Sequence, residues 1–344
     1  MKKVLFPALM VVICLAITAG VTEAFVRLVV DDGMQFDLEM WKYAKDVKIV
    51  SSDPMIGHEH GPNRKAKLMG VMVETNSKGQ RDREVPYERT PGVLRVAMLG
   101  DSLTEGWGVP LEATFSKRIE RMYDAAGTKA EVVNLGVGNW NTVQEVEHFL
   151  TKGYRYSPDI VVLNYFVNDA EPTPSHYHAP SWFLRHCYSC IFLKGRLDTV
   201  LRDMTTRKDW ADYYLGLYGG GKSKGWLDAK AAIKRLADYC KSKNIKLLIA
   251  HLPELHDVQN YRFGSVTELV RQAANENGVP FVDLLPVLQF QASEDLWVTP
   301  PDPHPNAFAN ELIAKGEFSA LQRLGAPENV GLQSGGAEAS TKLR

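Results

Sequence analysis

A basic excess is missing from this 344-residue chain: 40 Lys and Arg stand against 41 Asp and Glu, for a net charge of −1. Binding to nucleic acid requires cations to neutralise phosphates, so the balance argues against that class of partner. Cysteine is scarce, at four residues, which is too few for a disulfide scaffold. Cys187 and Cys190 form one C-x-x-C with no second pair, which argues against zinc and leaves a local disulfide open. Cys240 falls on a helical face and reads as a core residue. No internal repeat stands out. His176 and His178, in SHYH, suggest a metal less than a substrate-lining or solvent-exposed role, and they, His58 and His60, and His251 and His256 lack the carboxylate or cysteine geometry of a metal motif.

Charge is missing altogether from one long stretch. From Val4 to Thr22 the chain reads VLFPALMVVICLAITAGVT, with Lys2 and Lys3 before it and Glu23 and Arg27 after. About 19 helical residues span close to 30 Å, one hydrocarbon core. Signal-peptide apolar regions are shorter, so residues 1–24 are expected to be a membrane anchor, with a cleaved signal as the alternative. The leading lysines favour a cytoplasmic N-terminus, which puts the rest of the chain outside the cytoplasm.

Residues 25–92 mix short apolar runs with turn signals such as SSDP, GPNR and NSKGQRD, and read as a membrane-proximal extension packed on a main domain. From 93 to 322 strand and helix patterns alternate. Strands are expected at 93–99, 130–136, 159–165, 246–252 and 279–285. Helices are expected at 112–126, 141–152, 226–243, 264–277 and 305–322. An insertion at about 170–225 interrupts the alternation, and its Trp182, Trp210, Tyr213, Tyr214 and Trp226 read either as sugar-stacking platforms or as the insertion's own core. The Gly- and Ser-rich tail, 323–344, is expected to be disordered. Such alternation implies a parallel sheet with helices on both faces, and sites at the carboxyl ends of the strands.

That rule gathers GDSLTEG, GVGNWNT and FVNDAEP, the loops after the first three strands, at one edge, and DPHPN leads into the last helix. Serine at a strand-to-helix turn, a histidine to take its proton and an acid to orient the histidine make a nucleophilic triad, here Ser102, His304 and Asp302. The spacing does not fit G-x-S-x-G, which excludes the α/β-hydrolase elbow.

In this order GDSLTEG, NLGVGNWNTVQE, VND and DPHPN resemble the sequence blocks of the SGNH/GDSL hydrolases over residues 93–322. The resemblance implies a three-layer α/β/α sandwich with a mainly parallel, five-stranded, flavodoxin-like sheet, preceded here by one transmembrane helix. It implies Ser102 as nucleophile, His304 as general base and Asp302 as the orienting acid. The oxyanion would be held by the Ser102 N–H, a backbone N–H at Gly138 or Asn139, and the Asn168 side chain. No metal or organic cofactor is implied. Three positions depart from the pattern. The acid stands two residues before the histidine, with Pro301 in the usual place. Asn139 replaces a common glycine, and Phe166 replaces another. Asp101 is expected to support the serine loop, and Asp169 to bind backbone locally.

The chemistry expected is acyl transfer through a serine ester, on a small ester or an acylated, chiefly O-acetylated, cell-envelope or exported glycan. With water as acceptor the protein is an esterase, and with a sugar hydroxyl an O-acyltransferase. A non-catalytic polysaccharide-binding or assembly factor is the reading of a different class.

Overall fold

The computed structural model describes residues 2–174, 181–205, 210–300 and 302–325. His176, His178, Pro301 and all of the tail beyond residue 325 lie outside them. Helix α1 (Lys2–Phe25) is followed by α2 (Phe36–Asp46) and two antiparallel hairpins. The first pairs β1 (Lys48–Val50) with β2 (His58–His60), the second β3 (Lys65–Leu68) with β4 (Val71–Glu74).

The main sheet contains β5 (Leu94–Leu99), β6 (Ala130–Asn134), β7 (Ile160–Tyr165), β8 (Lys246–His251) and β9 (Phe281–Asp283). Its order is β6-β5-β7-β8-β9, and every pair is parallel. The connecting helices are α3 (Ser102–Glu105), α4 (Phe115–Ala125), α5 (Thr142–Thr151), α6 (Tyr188–Thr205), α7 (Trp210–Tyr218), α8 (Lys224–Ser242), α9 (Gly264–Glu276) and α10 (Leu285–Leu288). A hairpin of β10 (Trp297–Thr299) and β11 (Asp302–Pro305) precedes the last helix, α11 (Ala307–Gly325), which runs to residue 325 where 322 was expected.

Successive side chains along each strand alternate between the two faces of the sheet, which fixes the three layers. Ala97, Leu99, Val161, Leu163 and Ile249 pack with α5, α8 and α9 on one face. Val96, Met98, Val162, Leu248 and Ala250 pack with α4 and α11 on the other. In this flavodoxin-like order the chain reverses direction between β5 and β7, and the crevice at such a switch point is where ligands bind. Residues 101–105 leave β5 there, and residues 166–170 leave β7.

The segment after α1 covers that crevice. Tyr43, Val47, Leu68, Met69 and Val73 form a cluster with Trp107 from the loop after α3, and Ile56 packs with Val137 and Trp140. In the insertion Trp226 and Tyr218 are buried, and Trp210 and Tyr214 pack against the same core. Trp182 and Tyr213 are exposed. Cys187 and Cys190 form a disulfide, and Cys240 is buried.

Candidate active site

Helix α3 begins at Ser102, and Asp101 caps it: Oδ1 accepts from the Leu103 N–H at 2.9 Å, while Oδ2 accepts from Asn168 Nδ2 at 3.1 Å. An N-cap places the next residue's N–H in the helix's first turn, where it has no intrahelical acceptor. The Ser102 hydroxyl Oγ stands 2.9 Å from His304 Nε2. On the far side of the ring, His304 Nδ1 lies 2.5 Å from Asp302 Oδ1, and Asp302 Oδ2 accepts from the Trp107 indole at 2.8 Å. All three expected residues therefore form one hydrogen-bonded line.

The short D-x-H spacing is explained by β11. Residues two apart on a strand project from the same face, so Asp302 and His304 point the same way with Pro303 between them. The Asp302 carboxylate also accepts from the His304 backbone N–H at 3.2 Å, which fixes the turn of the strand.

Electrostatics follow from burial. Desolvation alone would lower the His304 pKa, but the Asp302 carboxylate overrides it and holds the imidazole above its ordinary 6.5. Burial alone would raise Asp302, and the bonds from His304 and Trp107 bring it below its ordinary value instead. Desolvation pushes Asp101 up. Asp169 binds backbone locally, accepting from the Phe166 N–H at 2.8 Å. It is pushed well up by burial and then by the charge of Asp101.

The two candidate donors in the turn after β6 separate. The Gly138 N–H donates to the Tyr43 hydroxyl at 2.9 Å, so it is spent within the protein. Asn139 adopts φ 66°, in the left-handed region, and lines the cavity beside Ser102. Among the described residues the Ser102 and Asn139 backbone N–H groups have no protein acceptor. The Asn168 amide bonds Asp101 with one N–H, and its second remains for the cavity. Phe166 forms part of the cavity wall.

That cavity, about 270 Å³, is lined by Ser102, Asn139, Asn168, His304 and a polar group of Gln144, Glu171, Glu254 and His256, with Phe36 and Met40 from α2. His256 pairs with Glu254 through Nδ1 and stacks on Trp210 at 4.3 Å between ring centroids. His251 is buried, and desolvation brings its pKa down to about 3. Among the described residues no three His, Cys, Asp or Glu side chains form a metal cluster.

Sequence reasoning missed the residues that brace the line. Trp107 was visible in the GWG after the serine block, but nothing in that tripeptide shows its indole on Asp302. Arg81 donates to the carbonyls of Glu105 at 3.1 Å, Gly106 at 2.5 Å and Val109 at 2.6 Å, tying down the loop after α3. Tyr43, Lys48 and Phe36 come from a segment read only as an extension.

A flavodoxin-like sheet with hydroxyl, imidazole and carboxylate in line at its switch point is the layout of an ester-bond hydrolase. The chain belongs to the GDSL-like lipase/acylhydrolase family, whose family model matches residues 98–312. No curated protein matches the sequence. Among solved structures it is similar to TesA, with 11% identity over 67% of this chain and 99% of that one, at a TM-score of 0.45. The psychrotrophic esterase EstA from Pseudoalteromonas sp. gives 13% identity, 67% and 97% coverage and 0.42. An acetyl xylan esterase, AlAXEase, gives 16%, 66% and 100%, and 0.42.

Proposed function

We propose that the protein is a serine esterase that removes small O-acyl groups, acetyl above all, from carbohydrate, with Ser102, His304 and Asp302 as its triad. The observation that carries this is the unbroken line from Ser102 Oγ through the imidazole to the Asp302 carboxylate. Ser102 Oγ attacks the ester carbonyl carbon while His304 Nε2 takes its proton. The carbonyl electron pair moves to oxygen, which receives the N–H groups of Ser102 and Asn139 and the Asn168 amide. Collapse breaks the bond to the alcohol oxygen, which leaves with the proton from His304. Water then gives a proton to His304 and attacks the acyl carbon, and a second collapse frees the acid and returns the proton to Ser102. Asp302 keeps the imidazole in the tautomer with Nδ1 protonated.

The cavity supports a small acyl group. It lies near the lower end of the roughly 300–1,000 Å³ of small-molecule sites. Glu171, Glu254, Gln144 and His256 offer hydrogen-bond partners to hydroxyls, and their two carboxylates disfavour an anionic ligand. Helix α1 supports a membrane anchor: the segment Phe6–Val30 has mean hydropathy 2.3 and is long enough to cross a bilayer. The catalytic part then works outside the cytoplasm, on envelope or exported glycan.

Full-length protein in detergent should hydrolyse 4-nitrophenyl acetate and release acetate from an acetylated polysaccharide, and Ser102→Ala should lose both. Equal rates for the two proteins would overturn the triad. Acetate appearing on an added oligosaccharide, in place of free acetate, would make the protein a transferase with the same residues.

A further inference from the structure

The Asn139 N–H is half of a peptide group whose other half is the Gly138 carbonyl. In a trans peptide the N–H and C=O point in opposite directions, so whatever holds that carbonyl decides where the N–H aims. Lys48, on β1, donates from Nζ to the Gly138 carbonyl at 2.6 Å and to Asn139 Oδ1 at 2.7 Å. His58 Nε2, on β2, stands 3.1 Å from the same carbonyl oxygen. The preceding peptide is held too: Gly138 donates to the Tyr43 hydroxyl, which lies 2.6 Å from His60 Nε2. Lys48 Nζ lies 4.5 Å from the centroid of the Tyr43 ring, and burial brings its pKa down to about 7.

This bracing meets a need. A non-glycine residue at positive φ is held against a backbone preference of about 1–2 kcal/mol, and asparagine resists it less than most. Asn139 has its side chain and the carbonyl before it tied to one amino group, Lys48 Nζ, which leaves its N–H on the cavity side. Donors on a peptide carbonyl also polarise the N–H of the same group and strengthen it as a donor. Glycine at this position would have no side chain for Lys48 to hold.

We propose that Lys48 is a positioning residue for acyl transfer: by gripping the Gly138–Asn139 peptide it aims the Asn139 N–H at the substrate's carbonyl oxygen. The N-terminal extension, from a point about 90 residues upstream, thus completes the oxyanion site. This rests on the reading of Ser102 as nucleophile.

The test uses full-length protein in detergent, with active sites counted by phosphonylation of Ser102. Lys48→Met keeps the stem and removes the donors. It should lower kcat per titrated site on 4-nitrophenyl acetate by about tenfold or more and leave KM within about twofold, because the lost alignment acts on the oxyanion and not on the bound ester. The rate of phosphonylation, whose P=O oxygen occupies the oxyanion position, should fall in parallel. A kcat within about twofold of the parent, or a loss carried by KM or by the fraction of protein that titrates, would overturn the proposal and leave Lys48 a structural brace. Should Lys48→Met fail to fold, Tyr43→Phe decides: it removes the hydroxyl that accepts from the Gly138 N–H and faces His60 Nε2, loosening the same turn. It should lower kcat a few-fold with KM unchanged, and an unchanged kcat overturns the clamp. Ser102→Ala separates the two readings. Activity surviving in it removes the nucleophile assignment, whereas a dead Ser102→Ala beside a fully active Lys48→Met removes only the clamp.

Discussion

His304 stands between opposing effects, and the sign of the result sets the pH dependence of the reaction. Desolvation favours the neutral ring, while the Asp302 carboxylate favours the cation and wins, raising the pKa above 6.5. Only the neutral ring accepts the Ser102 proton, so kcat/KM should rise with pH along a limb whose midpoint lies above 6.5. Asp302→Asn should move that midpoint down as well as lower the rate. A pH–rate profile with a limb below 6.5 in the parent protein would contradict the pairing. A second residue carries a separate prediction. Glu317 is wholly buried on α11, with neither carboxylate oxygen bonded among the described residues, and desolvation alone raises its pKa to about 8. A carboxyl with a raised folded pKa gives stability that is present in full below its unfolded value, near 4.5, and is lost as pH rises through 8. The loss is at most about 1.4 kcal/mol per pH unit inside that window. Glu317→Gln should therefore flatten urea-derived stability between pH 5 and pH 8, and parallel curves for the two proteins would refute the assignment.

At the scale of elements, two close approaches place the loops that carry the site. A Cβ on Gly136 would meet the Glu105 backbone nitrogen at 2.4 Å, so the turn after β6 lies directly on α3. A Cβ on Gly225, in α8, would come within 1.9 Å of the Ala170 carbonyl oxygen. That carbonyl ends the turn bearing Asn168. Gly225→Ala must push helix and turn apart and should cost about 1–3 kcal/mol in urea unfolding. It should lower kcat too, since Asn168 moves with the turn. An alanine variant with parental stability and kcat would show that the contact relaxes freely. The sequence made most of these elements legible, because their apolar periods are long and clean. The five expected strands appeared within two residues of expectation at every end, and Asn141 with Gln144 forms a capping box at the start of α5. The β10–β11 hairpin was not legible. Three- and four-residue strands carry too little pattern, and the short D-x-H spacing looked like a defect until β11 put both side chains on one face.

At the scale of the molecule, helix α1 is tied to the catalytic part by more than the chain. Glu23 accepts from the Tyr188 and Ser189 backbone N–H groups at 3.0 and 2.8 Å, which caps α6. Just past the end of α1, Arg27 lies 4.3 Å from the centroid of the Tyr188 ring and carries the same junction. A segment removed as a signal would leave that helix end uncapped, which favours retention. Intact mass of protein purified from membranes should therefore include residues 1–24, and a chain beginning near residue 25 would overturn the anchor. Composition, periodicity and four short blocks by themselves determined the sheet and the family resemblance, and marked Ser102, His304 and Asn168 as candidate site residues, because each is encoded locally or at the end of a strongly patterned strand. Tertiary structure alone showed that the Gly138 N–H is taken up by Tyr43 while Asn139 lines the cavity, put Trp107 on Asp302, and brought Lys48 and Tyr43 to the turn after β6. Those contacts join residues about 90 to 195 positions apart, and no local pattern encodes which polar side chain will be buried against a distant loop; that follows only when the apolar faces have packed and left those groups no other partners.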